Sequence, residues 1–258
     1  MDGAHLTLSG LGRRLDGESR AKHKIKCIDR LRGNPRLHTE RAEMYKAMTH
    51  WAPSGPSRPV IAIDWSDMET GNRYQMLKAA AIVEGRALTL YEEVHPVKGC
   101  KRGKAERLFL RRLATLVPAQ CTPIIVTDAG FLGPWFKTVR AFGWDYVGRV
   151  RGQQKIRFAV EKDWRPIKEL HALASASART LGKAFAAQRH PYETRVCLVQ
   201  EFKAKPGRRR ADRPTNPKWR EPGVLFTSLD EHLASAAVAD RTRCPRHELA
   251  TRVRRLGS

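Results

Sequence analysis

Apolar residues recur along this chain in two rhythms, short continuous runs and a helical spacing, and together they outline a sheet with helices on it. The run Pro59-Val60-Ile61-Ala62-Ile63-Asp64 is continuously apolar and ends on a carboxylate, the pattern of a strand buried on both faces. Met76–Val83 and Arg86–Val94, separated by Glu84-Gly85, predict the adjacent strands of a hairpin. Lys101–Leu116 places Leu108, Phe109, Leu113 and Leu116 at helical spacing and stops before Pro118. A second continuous run, Pro123-Ile124-Ile125-Val126-Thr127, ends at Asp128. Gly130 and Pro134 then bracket a turn into a helix near Trp135–Phe142, and Tyr146–Val150 predicts a further strand. Three extended segments, a helix, a strand, a helix and a strand imply an α/β fold, a mixed sheet with helices on its faces.

On either side the pattern changes. Residues 1–52 predict a basic helical region, with Ile25, Ile28, Leu31, Met44, Ala47 and Met48 at helical spacing, broken at Gly33-Asn34-Pro35. Residues 53–58 are a Pro/Ser/Gly linker. The segment 59–150 holds the strands and helices just described, and in 151–220 the periodicity loosens. Between Lys203 and Arg220 stand eight basic residues and one acid, Asp212, a loop-like stretch. Within 221–258, Val224–Thr227 predicts a last strand and Leu229–Ala239 a helix.

Charge narrows the function classes. With 49 Lys and Arg against 26 Asp and Glu, the net charge is +23, a field that attracts polyanions. No run approaches the ~18 apolar residues of a membrane span, and the N-terminus has no signal-peptide core, so the reading is of a soluble, cytoplasmic, nucleoid-associated protein. The five cysteines, Cys27, Cys100, Cys121, Cys197 and Cys244, are scattered and never spaced C-x-x-C, which argues for free thiols rather than disulfides or structural zinc. The histidines lack metal-ligand spacing, and without a Gly-rich phosphate loop no nucleotide cofactor is expected.

Two strands of the same build deliver Asp64 and Asp128 to one edge of the expected sheet, where open α/β sheets place their sites. Adjacent carboxylates repel one another, and a divalent cation that prefers oxygen ligands removes that cost. Mg²⁺, with Mn²⁺ able to substitute, is therefore the expected cofactor, as two ions clamping an in-line phosphoryl transfer. The competing reading is that an aspartate after a strand is ordinary turn chemistry. Asp67 and Glu69 read as loop carboxylates. Trp164 is either a packing residue or a platform for an unpaired base.

The segments Ile61-Ala62-Ile63-Asp64-Trp65-Ser66-Asp67 and Ile125-Val126-Thr127-Asp128-Ala129-Gly130-Phe131 resemble the two aspartate motifs of the DDE transposases of insertion sequence family four. The likeness extends, in order, to Lys22–Asn34, Leu90-Tyr91-Glu92, Trp144–Arg151 with Arg149-Val150-Arg151-Gly152, Trp164-Arg165-Pro166-Ile167, and Glu221-Pro222 before Val224–Thr227. It implies an RNase H-like core with Asp64 and Asp128 as metal ligands, divided into 59–150 and an incomplete C-terminal part at 221–258. The intervening residues 151–220 would be an inserted β-rich subdomain. The activity implied is cut-and-paste transposition: cleavage and strand transfer on double-stranded DNA at element ends and target. Lys22, Lys24, Lys26, Arg30, Arg149, Arg151, Arg208, Arg209, Arg210 and Arg243 are the expected DNA contacts.

The resemblance fails at the third carboxylate. The family pattern is a Tyr, an Arg three positions later, a Glu four further on and a Lys seven beyond. Here those places fall on Asp240, Arg243, His247 and Arg254. Glu248 is the nearest candidate third catalytic carboxylate, but one residue along a helix turns a side chain by about 100°. Pro245 would cost about 3 kcal/mol inside a helix. The tail thus reads as truncated or frameshifted, and two readings follow, an active transposase and a catalytically dead DNA-binding remnant. A third, an RNA- or ribosome-associated basic protein, gives paired strand-end aspartates no use.

Overall fold

The computed structural model describes residues 7–51, 58–68, 71–83, 86–175, 179–199 and 222–231. Two compact units divide the chain, Met1–Tyr45 and Lys46–Ser258. The first contains α1 (Leu8–Arg13), α2 (Ala21–Arg32) and the beginning of α3 (Pro35–Trp51). Thr7 Oγ1 caps α1 by accepting from the Gly10 amide at 3.0 Å. The break expected at Gly33-Asn34-Pro35 is the junction of α2 and α3. Asn34 Oδ1 accepts from the Arg36 amide at 3.0 Å, and Pro35 opens the helix where its missing N–H is of no consequence. α1 crosses α2 at Gly12, where a Cβ would lie 2.5 Å from the Ile25 Cα, so no larger residue fits.

The second unit is mixed α/β. After the end of α3 come β1 (Val60–Asp67), β2 (Tyr74–Val83), β3 (Arg86–Pro96), α4 (Arg102–Leu116), β4 (Ile124–Thr127), α5 (Gly133–Ala141) and β5 (Asp145–Val150). They are followed by β6 (Lys155–Phe158), β7 (Arg165–Pro166), a 3-10 helix (Ile167–Leu173), β8 (Arg179–Ala186), β9 (Tyr192–Val199) and β10 (Gly223–Thr227). The strands form one ten-stranded sheet in the order β3-β2-β1-β4-β5-β10-β9-β8-β6-β7. β1, β4 and β5 run parallel, and β2, β3 and β10 are antiparallel to their neighbours, an arrangement consistent with an RNase H-like fold.

The hairpin of β2 and β3 carries a bulge opposite Ala79/Ala80 that leaves Leu90 outside the register. Its carbonyl accepts from Thr49 Oγ1, a buried hydroxyl in the last turns of α3, at 3.4 Å. The α-helices α4 and α5 lie on one face of the sheet, the face of Ile61, Ile63, Ile125 and Thr127. α4 seats Phe109 5.1 Å from Tyr91, and α5 stacks Phe136 on Tyr146 at 4.6 Å. The buried stripe of α4 is Ala105, Glu106, Phe109, Leu110, Leu113 and Leu116. Leu108, expected on that stripe, is instead 37% exposed, because it sits about a third of a turn from Phe109.

Two expectations from the sequence are revised and one segment is filled in. β1 does not stop at Asp64 but continues to Asp67, because β2 goes on pairing with Trp65, Ser66 and Asp67 after β4 has ended. The segment where periodicity loosens contains β6–β9, which extend the same sheet. Of the expected helix Leu229–Ala239, Leu229 and Asp230 are not helical, Glu231 is, and residues 232–239 lie outside the described residues, as do the linker at 53–57 and Glu69.

α5 approaches the sheet at Gly148, where a Cβ would stand 2.3 Å from Phe136 Cε1 and 3.1 Å from Thr127 Oγ1. Gly148→Ala is expected to destabilise the protein by about 1–3 kcal/mol through overpacking. Thermal unfolding would show a lower midpoint, partly recovered when Phe136→Leu is added to make room.

Candidate active site

Parallel pairing builds the site. β1 and β4 match Val60 with Ile124, Ile61 with Ile125, Ala62 with Val126 and Ile63 with Thr127. One step further come Asp64, on β1, and Asp128, just past the end of β4, both exposed. Strand spacing sets such positions about 5 Å apart. Asp128 leaves the sheet in a local turn, its Oδ1 accepting from the Gly130 amide at 2.8 Å. From Asp64 onward β1 keeps β2 on one side, while β4 has ended on the other. The aspartates therefore border a notch at the carboxyl end of β4.

The same row continues outward on both sides. Asp64 pairs with Lys78 of β2, and Lys78 pairs with Glu92 of β3. Thr127 pairs with Gly148, so the next position on β5 beside Asp128 is Arg149, which pairs in turn with Leu225. The row reads Glu92, Lys78, Asp64, Asp128, Arg149, with the two carboxylates flanked by one cation on each side. Arg149 is 9% exposed. Arg151, just past the end of β5, is half-buried, and its Nε and Nη2 have no hydrogen-bond partner among the described residues. Sequence reasoning does not single out Lys78, and it meets Glu92 only within the Leu90-Tyr91-Glu92 motif. The available signal was that Lys78 is the one charge in the apolar run of β2.

The opposite face is braced by a polar network under α4. Trp65 Nε1 donates to Glu106 Oε1 at 3.1 Å, and its ring meets His95 edge-on at 5.5 Å and Arg102 at 5.2 Å. Beside it, Glu93 accepts from the Tyr91 hydroxyl at 2.6 Å and from Arg112 at 2.8 Å, and lies 3.0 Å from His95 Nε2. Burial, reinforced by the Glu93 carboxylate, pushes the Tyr91 phenol up to about 12. Burial also raises the Glu106 carboxyl, opposed by the Trp65 hydrogen bond and by Arg102 and Arg107. At the other end of the sheet Asp145 joins Arg58, Arg140 (2.6 Å) and the Ser228 hydroxyl (2.7 Å).

The remaining expected contacts fall as follows. On α2, Lys22, Lys26 and Arg30 recur every four residues and are all exposed, whereas Lys24 is half-buried, on the side of Ile25 and Ile28. Trp164 is half-buried with the Arg157 guanidinium 5.7 Å from its ring, and the same Arg157 lies 5.0 Å from the Phe185 ring. Arg208, Arg209, Arg210, Arg243, His247 and Glu248 lie outside the described residues. No group of three or more His, Cys, Asp or Glu placed to hold one metal ion occurs among the described residues. None of the helices described is long and apolar enough to cross a membrane. Cys27, Cys100, Cys121 and Cys197 are free thiols.

The register thus sets the two strand-end aspartates side by side in a mixed sheet. The model of the transposase DDE domain matches residues 55–243, well over half of the chain, which therefore belongs to that family. No curated protein matches it.

Because burial raises the Glu106 carboxyl, the folded state holds that proton more tightly than the unfolded chain does. Its stabilising contribution is complete below the unfolded value of about 4.3 and is lost as pH rises through the folded value. Glu106→Gln keeps an acceptor for Trp65 without the charge. The variant is expected to melt above the wild type at pH 7, with the gap narrowing toward pH 4, in a pair of calorimetric scans.

Proposed function

We propose that this chain is a cut-and-paste transposase of the type found in insertion sequence family four, with an RNase H-like core acting on double-stranded DNA. Its substrates on this reading are element ends and target DNA, and its setting is the bacterial cytoplasm and nucleoid. The observation that carries the reading is the adjacency of Asp64 and Asp128 in the β1–β4 register, both exposed beside the notch where β4 ends. The residues fit a divalent cation such as Mg²⁺ or Mn²⁺: two oxygen donors of like charge stand side by side, and the open notch leaves room for water and phosphate. Asp64 and Asp128 would hold it, with a second ion sharing them. Such cations supply a more acidic oxygen nucleophile and charge compensation on the phosphoryl oxygens.

The chain's own residues divide the remaining work. Arg149, beside Asp128 in the row of strand positions, and Arg151, just past the end of β5, would hold phosphates there. Lys22, Lys26 and Arg30 form a basic line on α2 suited to a duplex backbone, with Lys24 and the cluster Arg208, Arg209, Arg210 adding to the field, and Arg243 acting nearer the third carboxylate. In this reading 1–52 binds DNA, 53–58 links it to the core, 59–150 and 221–258 form the catalytic part, and 151–220 is an insertion. Nicking by water frees a 3′-hydroxyl, which attacks the opposite strand and displaces the 3′-oxygen of the flanking DNA; hydrolysis of the joint so formed frees the 3′-hydroxyl again, and it then attacks the target by in-line transfer.

A second reading, a DNA-binding remnant without chemistry, is favoured by His247 standing where the family has glutamate. It is a poor ligand for Mg²⁺. Calorimetric titration with Mn²⁺ tests the metal site: Asp64→Asn and Asp128→Asn are each expected to abolish binding while DNA affinity holds or rises slightly. Binding unchanged in both variants would dismiss the two-aspartate site. Plasmid nicking then separates the readings. The mismatched tail leads us to expect weak or no cleavage by the wild type, with His247→Glu restoring some; robust wild-type nicking lost in Glu248→Gln would make Glu248 the third ligand.

A further inference from the structure

β2 is apolar for nearly its whole length, Tyr-Gln-Met-Leu-Lys-Ala-Ala-Ala-Ile-Val, with Lys78 as its single charge. A charge in such a strand has a reason to be at that position, and the register supplies one. Lys78 is the direct antiparallel partner of Asp64, so both side chains leave the same face with their Cβ atoms about 5 Å apart. On its far side Lys78 is the direct partner of Glu92. It is half-buried, and of the neighbouring positions on that face of β1 and β2, Ala62, Ser66 and Ala80 are small, with Met76 the one larger side chain. A nucleic-acid backbone can therefore come close to the sheet at this point, and the ammonium is the cation it would meet on the β2 side of the aspartates.

We propose that Lys78 is a phosphate-binding residue of the active site, gripping the DNA strand on the β2 side of Asp64 while Glu92 restrains its side chain. The inference rests on the Asp64–Asp128 reading above. Before a cation binds, Lys78 offsets part of the repulsion between the aspartates. Once their charge is satisfied by a cation, Lys78 is available to a non-bridging phosphate oxygen as a flexible point charge. Glu92 is the other anion Lys78 can turn to, so DNA competes with Glu92 for the same ammonium.

The test uses the full chain in two measurements. Affinity for a duplex of fixed sequence is followed across salt concentrations, with and without Mn²⁺, for wild type, Lys78→Gln, Lys78→Arg and Glu92→Gln; Mn²⁺ binding is titrated separately without DNA. Losing one phosphate contact should make the slope of log affinity against log salt shallower by about 0.9 in Lys78→Gln, with the slope kept in Lys78→Arg. In the absence of DNA, Lys78→Gln should bind Mn²⁺ about three- to ten-fold more tightly, since a like charge beside the cation is gone. Glu92→Gln should tighten DNA binding, and that gain should vanish when Lys78→Gln is added. Equal slopes in wild type and Lys78→Gln would overturn the proposal even if Mn²⁺ binds. A wild type that takes no Mn²⁺ would instead overturn the metal reading, and Lys78 would then be judged by the metal-free slope. Should Lys78→Gln fold poorly, a Lys78→Arg slope shallower by the same amount overturns the proposal, and a slope equal to wild type with Glu92→Gln tightened supports it.

Discussion

The parallel pairing of β1 with β4 is the constraint on which the rest of the molecule depends. Four apolar residues on β1 and three on β4, among them Ile61 and Ile125 with almost no exposure, hold the two runs together from both faces of the sheet. Side chains alternate along a strand, so a slip of one residue would send Asp64 to the face of α4 and would bring Ile63 into its place. The apolar runs prevent that slip, because it would also turn Ile61 and Ile63 away from the helices. Burial therefore sets the positions of the aspartates, and neither carboxylate needs its own hydrogen bonds to be put there.

Beneath the site the sheet is braced in a different way. Most of the covered face is aliphatic or aromatic, yet around Trp65 it carries Glu93, Glu106, Gln75 and the heads of Arg102 and Arg112. Polar groups in such a place need partners, and here each has one: Glu93 collects three, Trp65 reaches Glu106, and Gln75 reaches Arg102. Directional bonds resist the sliding that an oily contact tolerates. Trp65 adjoins Asp64 in the chain and faces the other way, so fixing its ring from below also fixes the backbone from which the carboxylate projects.

The sequence was most readable where a periodic pattern and a local signal coincided. The two apolar runs ending on aspartate, the hairpin around Glu84-Gly85 and the helices α4 and α5 were all accessible, since each is decided within a dozen residues. What could not be read depended on pairing between distant segments. Continuation of β1 to Asp67 is set by β2, the exposure of Leu108 by the exact seat of α4, and the strands β6–β9 by neighbours whose own patterns are mixed. Lys78 belongs with these. As one charge in an apolar run it resembles a solvated edge position, and it becomes a neighbour of Asp64 only once the register of the hairpin is known. The basic side chains of α2 were legible as a group, while the turning of Lys24 toward Ile25 was not.

The position of β10 has a consequence for how the chain is made. This strand, near the end of the sequence, lies between β5 and β9 and bonds to both in antiparallel register. While the ribosome is still adding residues, β3-β2-β1-β4-β5 and β9-β8-β6-β7 are two separate sheets, each with an unpaired edge. Only when Gly223–Thr227 emerges can a single strand zip the two edges into one. The aspartates, which need only β1 and β4, are in place before that final insertion, whereas Arg149 on β5, with Arg151 just past its end, stays at an open edge until it happens. Vectorial synthesis thus assembles the acidic half of the site first and anchors its basic flank last.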